Sequence, residues 1–169
     1  MATEPVQKGF AADGNGIVIW VPAIADPEAP TIAEITATGA KRLTYGLTPD
    51  GFQHTITENA ITSGRYTLRQ VIELAGTVQD NLELTYVYNR QTPTDAETAL
   101  GTPGTSGFIV HILGYENGHT LAAADKINAV IPCDTGISRD NPPTANTEPS
   151  KTVKMYVTGE VAREVAIAA

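Results

Sequence analysis

Three prolines between positions 22 and 30 set the first limit on what this chain can fold into. Pro22, Pro27 and Pro30 lack a backbone N–H and push the residues before them into extended geometry. The segment is therefore a stiff connector, neither helix nor central strand. Directly before it stands Ile17-Val18-Ile19-Trp20-Val21 after Gly16, an apolar, β-branched run. Such a run reads as a strand buried on both faces, or with one face in the core and the other on a partner. Directly after it, Thr31-Ile32-Ala33-Glu34 fits a capping box, in which the Thr hydroxyl and the Glu carboxylate satisfy orphan N–H groups at a helix start. The helix must be short, because Thr36, Thr38 and Gly39 follow at once. A strand-like run at 41–45 completes the stretch. No reactive constellation sits in it.

The remainder reads as β. Thr48-Pro49-Asp50-Gly51 is a turn with Pro at its second position, residues 52–57 alternate polar and apolar, and Ser63-Gly64 marks another turn. A strand is expected at 66–72, then a polar connector at 76–81. Leu82 to Tyr88 is the clearest period-2 strand, with Leu82, Leu84, Tyr86 and Tyr88 on one face and Glu83, Thr85 and Val87 on the other. Thr94 caps a two-turn helix with acidic residues in its first turn and Gly101 at its end. Strands follow at 108–113 and 129–131, with a hairpin-type connection at 116–119. Residues 121–125 are helical or simply lead into the next strand. Residues 138–150, with Pro142-Pro143 and Pro149, form an exposed loop. A strand pair at 152–158 and 160–167 is expected around Gly159. The pattern predicts a mainly β single domain over 1–169, an antiparallel β-sandwich or barrel with one or two short flanking α-helices. Residues 1–15, polar and ending in Asp-Gly-Asn-Gly, are expected to be an extended arm.

Charge and composition narrow the function. A net charge of −8 argues against a surface that grips nucleic acid through its phosphates. It does not argue against one past which nucleic acid slides. No apolar run approaches the roughly 20 residues of a membrane span, and the N-terminal residues lack the basic start and apolar centre of a secretory signal. The single cysteine, Cys133, cannot form an intramolecular disulfide and reads as a small buried apolar residue. His54, His111 and His119 lack the tight ligand spacing of a zinc site. The glycines of residues 101–107 precede an apolar strand, whereas a phosphate-binding loop ends in Gly-Lys-Ser/Thr and opens a helix. Scattered carboxylates assign no acid–base pair, and Tyr45, Tyr66, Tyr86 and Tyr88 read as strand packing. Neither catalytic residue nor cofactor nor metal site is assigned. The chain is not expected to be an enzyme.

Residues 16–60 carry a resemblance. The order Trp20-Val21-Pro22-Ala23-Ile24-Ala25-Asp26-Pro27, then Ala29-Pro30-Thr31-Ile32-Ala33-Glu34-Ile35, Leu43-Thr44-Tyr45 and Asp50-Gly51-Phe52 resembles the N-terminal portion of major tail (tail tube) proteins from long-tailed, siphovirus-type actinobacterial phages. The resemblance implies a structural virion subunit, assembled in the host cytoplasm, that forms hexameric rings whose inner strands join into one barrel. The rings stack into a tube through which DNA passes during ejection, without specific binding. It also implies tape measure, tail terminator and distal tail proteins as partners, with no membrane and no cofactor. Under it, strand alternation nominates Glu73, Glu83 and Glu116 as lumen-facing, and Pro22, Asp26, Pro27 and Pro30 as an inter-subunit arm. The other reading is a non-catalytic β-sandwich module of a phage adhesion device, binding carbohydrate or protein.

Overall fold

The computed structural model describes Pro5, Val6 and residues 8–168. Within them the chain is mainly β, an antiparallel sheet of nine strands with two short helices. It divides into two compact units, the first built from residues 1–46, 106–133 and 159–169, the second from 47–105 and 134–158.

In the first unit, β1 (Gly16–Val21) pairs on one side with β2 (Lys41–Arg42) and on the other with β5 (Ser106–Leu113), antiparallel throughout. The predicted two-sided burial holds: all five residues from Ile17 to Val21 are buried. Ile17, Ile19 and Val21 join Val110, Ile112, Ile127 and Val130 in one core, closed by Ile24, Ile35 and Leu121. Each such side chain contributes about 1.5–3 kcal/mol on burial. The strand β6 (Lys126–Thr135) pairs antiparallel with β9 (Ala162–Ala166). Helix α1 (Ile32–Ile35) carries the full capping box between Thr31 and Glu34 and buries Ile35. The strand expected at 41–45 is cut to two residues, because a 3₁₀ turn at Thr44–Gly46 takes over. Thr44 Oγ1 accepts the N–H of Val18 at 3.0 Å there.

In the second unit, β4 (Ile72–Val87) lies between β3 (Leu47–Ser63) and β8 (Ser150–Val157). Leu82, Leu84 and Tyr86 are fully buried and the intervening residues are not, as the period-2 pattern requires. Val153 and Met155 of β8, and Ala96, Ala99 and Leu100 of α2 (Asp95–Leu100), are buried as well. The Tyr86 hydroxyl donates to Ser138 Oγ at 2.9 Å, so the buried phenol keeps its polar tip satisfied. Thr135, also buried, donates to the carbonyl of Thr102 at 2.6 Å and accepts the N–H of Thr105 at 2.9 Å.

Four expectations fail in this part of the chain, the first being the turn at 48–51, which β3 runs through with an irregular register between Leu47 and Phe52. Residues 76–81 are not a connector: β4 runs through them, and Gly76 makes a bulge instead of a break. Residues 66–71 are not a strand but the tip that joins β3 to β4, with Leu68 N–H bonded to the Arg65 carbonyl and Thr67 at φ 64°. Strands β8 and β9 do not form the expected pair around Gly159, since β8 joins β4 and β9 joins β6. Within the 138–150 loop, β7 (Arg139–Asp140) folds back on Thr152 and Lys151, leaving the two prolines at its turn.

Gly107 of β5 is held by what surrounds it. A Cβ there would lie 2.5 Å from Trp20 Cζ2 and 2.9 Å from the Val21 carbonyl oxygen. Gly107→Ala is expected to lower stability by about 1–3 kcal/mol, the cost of overpacking a filled core. The one tryptophan reports it, as a lower midpoint in denaturant and a red-shifted native emission.

Candidate functional site

The second unit presents the longest feature of the chain, the ribbon of β3 and β4. Side chains opposite one another in an antiparallel ladder share a face, and neighbours along a strand alternate. Phe52, His54, Leu82 and Leu84 therefore share the face that packs inward, where Leu82 and Leu84 have no exposure to speak of. At the limit of this packing His54 Nε2 meets Asp80 Oδ1 at 2.8 Å, with both side chains largely buried. Pairing then continues from Thr57↔Gln79 to Ser63↔Ile72, although Gly76 and Ser63 alone along that length are even partly buried. Ile56, Ile61, Ile72, Leu74 and Val78 keep between 49% and 57% of their surface in water, and Tyr66 at the tip keeps 98%. Apolar residues concentrated like this on a surface mark an interaction site.

A bulge divides the ribbon. Register shifts between Glu58 and Ala60, where β4 supplies one residue more than β3. Asn59 Nδ2 donates to Thr77 Oγ1 at 3.0 Å, and a Cβ on Gly76 would fall 2.3 Å from the Asn59 carbonyl oxygen. Only glycine fits. With β3 alternating regularly, Ile56, Glu58, Val78, Ala60, Ala75, Thr62 and Glu73 share one face. Ile61, Leu74 and Ile72 occupy the other.

The outer edge of β3 is a second feature. β3 ends the strand path and pairs with β4 on one side. An edge of 17 residues exposes a row of backbone donors and acceptors, which a neighbouring chain can pair. The sheet face opposite the core is polar. Gln53, Glu83 and Lys154 stand side by side across three strands, and Thr85 Oγ1 meets Thr152 Oγ1 at 2.9 Å.

The nominated residues fall in four places. Glu83 lies on this polar face and is ion-paired with Arg139 at 2.5 Å. Glu73 is on the exposed ribbon opposite Thr62. Glu116 is exposed in the turn after β5, where His119 N–H bonds its carbonyl. Pro22, Asp26, Pro27 and Pro30 run along the first unit, anchored by buried Ile24 and Pro30, with Pro22 and Asp26 exposed. The N-terminal arm lies partly outside the described residues; of its described part, Phe10 is 63% exposed. At the tip, Tyr66 does not pack in a strand as expected but stands almost wholly in water, and Arg65 and Arg69 were not singled out from sequence. Their one signal is a pair of arginines in an acidic chain just after Ser63-Gly64.

Two carboxylates hold the first unit's turns. Glu34 accepts the N–H groups of Ala25 at 2.7 Å and Thr31 at 2.8 Å and the Thr31 hydroxyl at 2.7 Å, which together lower its pKa against the opposing effect of burial. Asp125 is lowered first by the Ala122 N–H and then by the His119 ring, each at 2.9 Å. His119 in turn stacks on Tyr115 at 4.3 Å, and Arg42 donates to the carbonyls of Asn117 and His119. Among the described residues no three His, Cys, Asp or Glu side chains converge as a metal site would need, and no helix is long and apolar enough to cross a membrane.

An antiparallel sheet with an exposed apolar ribbon and a long edge strand offers surface for contact with other molecules. The phage tail tube protein family matches residues 1–169, and the chain belongs to that family. It is thus a structural component of the phage virion, one that assembles with other tail proteins. Comparison with curated proteins gives no match.

Glu34 and Asp125 fix the pH dependence of the first unit. A carboxylate with a depressed folded pKa stabilises fully above its unfolded value and loses that contribution as pH falls through the folded one. The melting temperature is expected to drop on acidification below the ordinary carboxylate values of 4.5 and 3.8. Glu34→Gln with Asp125→Asn should flatten that slope while lowering stability at neutral pH. Thermal unfolding across pH 2.5–7 (about the range of the two groups) measures both.

Proposed function

We propose that this chain is the major subunit of a siphovirus tail tube. Copies join edge to edge into hexameric rings, rings stack, and the lumen conducts DNA during ejection. The observation that carries the reading is the β3–β4 ribbon, paired along its length and left with apolar side chains in water on both faces. Membership of the tail tube family supports it. So does the net charge: six copies at −8 each make an assembly that repels phosphates, so that DNA slides without sticking. Under this reading Glu73, Glu83 and Glu116 are the lumen candidates, with Glu83 partly offset by Arg139. Residues 22–30 set the geometry between neighbours. Tape measure, terminator and distal tail proteins meet the ends of the tube, which is assembled in the host cytoplasm.

Negative-stain microscopy of concentrated protein is expected to show rings or tubes with a central channel. A protein that stays monomeric at high concentration, alone and with tail assembly partners, overturns the reading. Ile61→Asp with Leu74→Asp, on exposed positions, should leave the melting temperature within a few degrees of the parent. The concentration needed for assembly should rise at least tenfold, about 1.4 kcal/mol of lost contact.

A further inference from the structure

We propose that the ribbon of one copy receives the basic tip of a second copy, in a recess beside the Gly76 bulge. This rests on the assembly reading above, names the partner of the ribbon, and moves Glu73 from the lumen candidates into that contact. A hollow of about 340 Å³ opens at the bulge, and Ala60, Ala75, Val78, Glu58 and Glu73 are among the residues that line it. Ladder register puts these five residues on one face. The combination suits a cation carried on an apolar stem.

The same chain supplies such a group. Between Ser63 and Ile72 the only charged residues are Arg65 and Arg69, in a chain of net charge −8. Both are exposed, and among the described residues neither is ion-paired. Tyr66 and Leu68 beside them are exposed apolar residues, so the tip matches the recess in charge and in apolar character.

Area argues for the same contact. The exposed ribbon is about 23 Å long at ~3.3 Å per residue and two strands wide. One face therefore offers about 250 Å², against the roughly 800 Å² per partner of a stable interface. A second ribbon laid face to face on it would be too small, and a seated tip adds the surface of the loop. Tip and recess are different patches of one molecule, so the contact is heterologous and passes from copy to copy instead of closing in a pair. That is the symmetry a stacked tube needs.

Two charge-reversed variants test it, Arg65→Glu with Arg69→Glu, and Glu58→Lys with Glu73→Lys. The first has an acidic tip and an acidic recess, the second a basic tip and a basic recess. Each alone is expected to sediment as the unassembled form under conditions where the parent forms tubes. Mixed one to one, each tip finds the opposite charge in the other variant's recess, and polymer should return to near the parental amount in sedimentation velocity and negative stain. Restored assembly would also prove both variants folded. The proposal is overturned if either variant alone assembles like the parent. It is equally overturned if the mixture stays unassembled while circular dichroism shows both variants folded. Parent protein that assembles in either case keeps the tail tube reading intact; parent protein that never assembles removes that reading and this one with it.

Discussion

Backbone pairing along β3 and β4 outlasts side-chain burial, and that mismatch governs the molecule. Up to Leu82 the ladder is backed by a core. Beyond Asp80 it is a two-stranded ribbon whose strands pair with each other while its apolar side chains stay in water. Such ribbons are marginal in water unless something covers them. The His54–Asp80 pair stands where the two regimes meet, spending the last sheltered position on a polar contact instead of another hydrophobe. A chain that only had to fold would turn earlier, near residue 57. Seventeen residues of strand, ended by a basic tip, make sense when the covering surface comes from another molecule.

The bulge converts length into direction. If β4 kept a strict period of two across Gly76, Leu74 and Ile72 would fall on the face of Val78 and Leu82. One extra residue moves them to the other side, beside Ile61. The apolar positions are thereby divided between two faces, and the acidic ones stay on the side that holds Val78. Gly76 is the residue that permits this, since any Cβ would strike the Asn59 carbonyl oxygen. Register, a local property of two strands, thus decides which surface a neighbour can use.

Much of this was legible in the residues, and the exceptions have physical causes. Ile17 to Val21, the Thr31–Glu34 capping box, the alternation from Leu82 to Tyr86 and the Thr94 cap all announced their structures, because each is a local pattern with one favourable outcome. The ribbon was not legible. Gly76, Thr77, Gln79, Asp80 and Asn81 look like a connector because they are polar and small, and polarity signals a loop only when a strand has a core face to bury. Here the strand continues without one. The tip was misread for the converse reason: Tyr66 and Leu68 alternate with polar residues and apolar Val71 follows, as in a buried strand, but all three stand in water. Both errors arise because polarity and alternation report a core face, and these residues have none within the described fold. The β8 and β9 pairing failed differently, since a short spacing around Gly159 favours a hairpin locally while each strand finds a better partner in its own unit. The acidic candidates Glu73, Glu83 and Glu116 came from alternation alone. The structure places them on three separate features, which alternation could not have distinguished.

Net charge and local charge then act at different ranges. At −8 per copy, like molecules repel at distances up to the screening length, about 8–10 Å at physiological ionic strength. Inside that distance the sign is set by what faces what, and in the proposed contact Arg65 and Arg69 meeting Glu58 and Glu73 would reverse it locally. Repulsion therefore disfavours random encounters more than the one aligned approach, in which two arginines arrive at two carboxylates and apolar side chains from both copies leave water together. The apolar contact supplies most of the free energy, since exposed ion pairs contribute little, while the charges select the orientation. A subunit built this way can stay dispersed at low concentration and still add to a growing end in a single orientation.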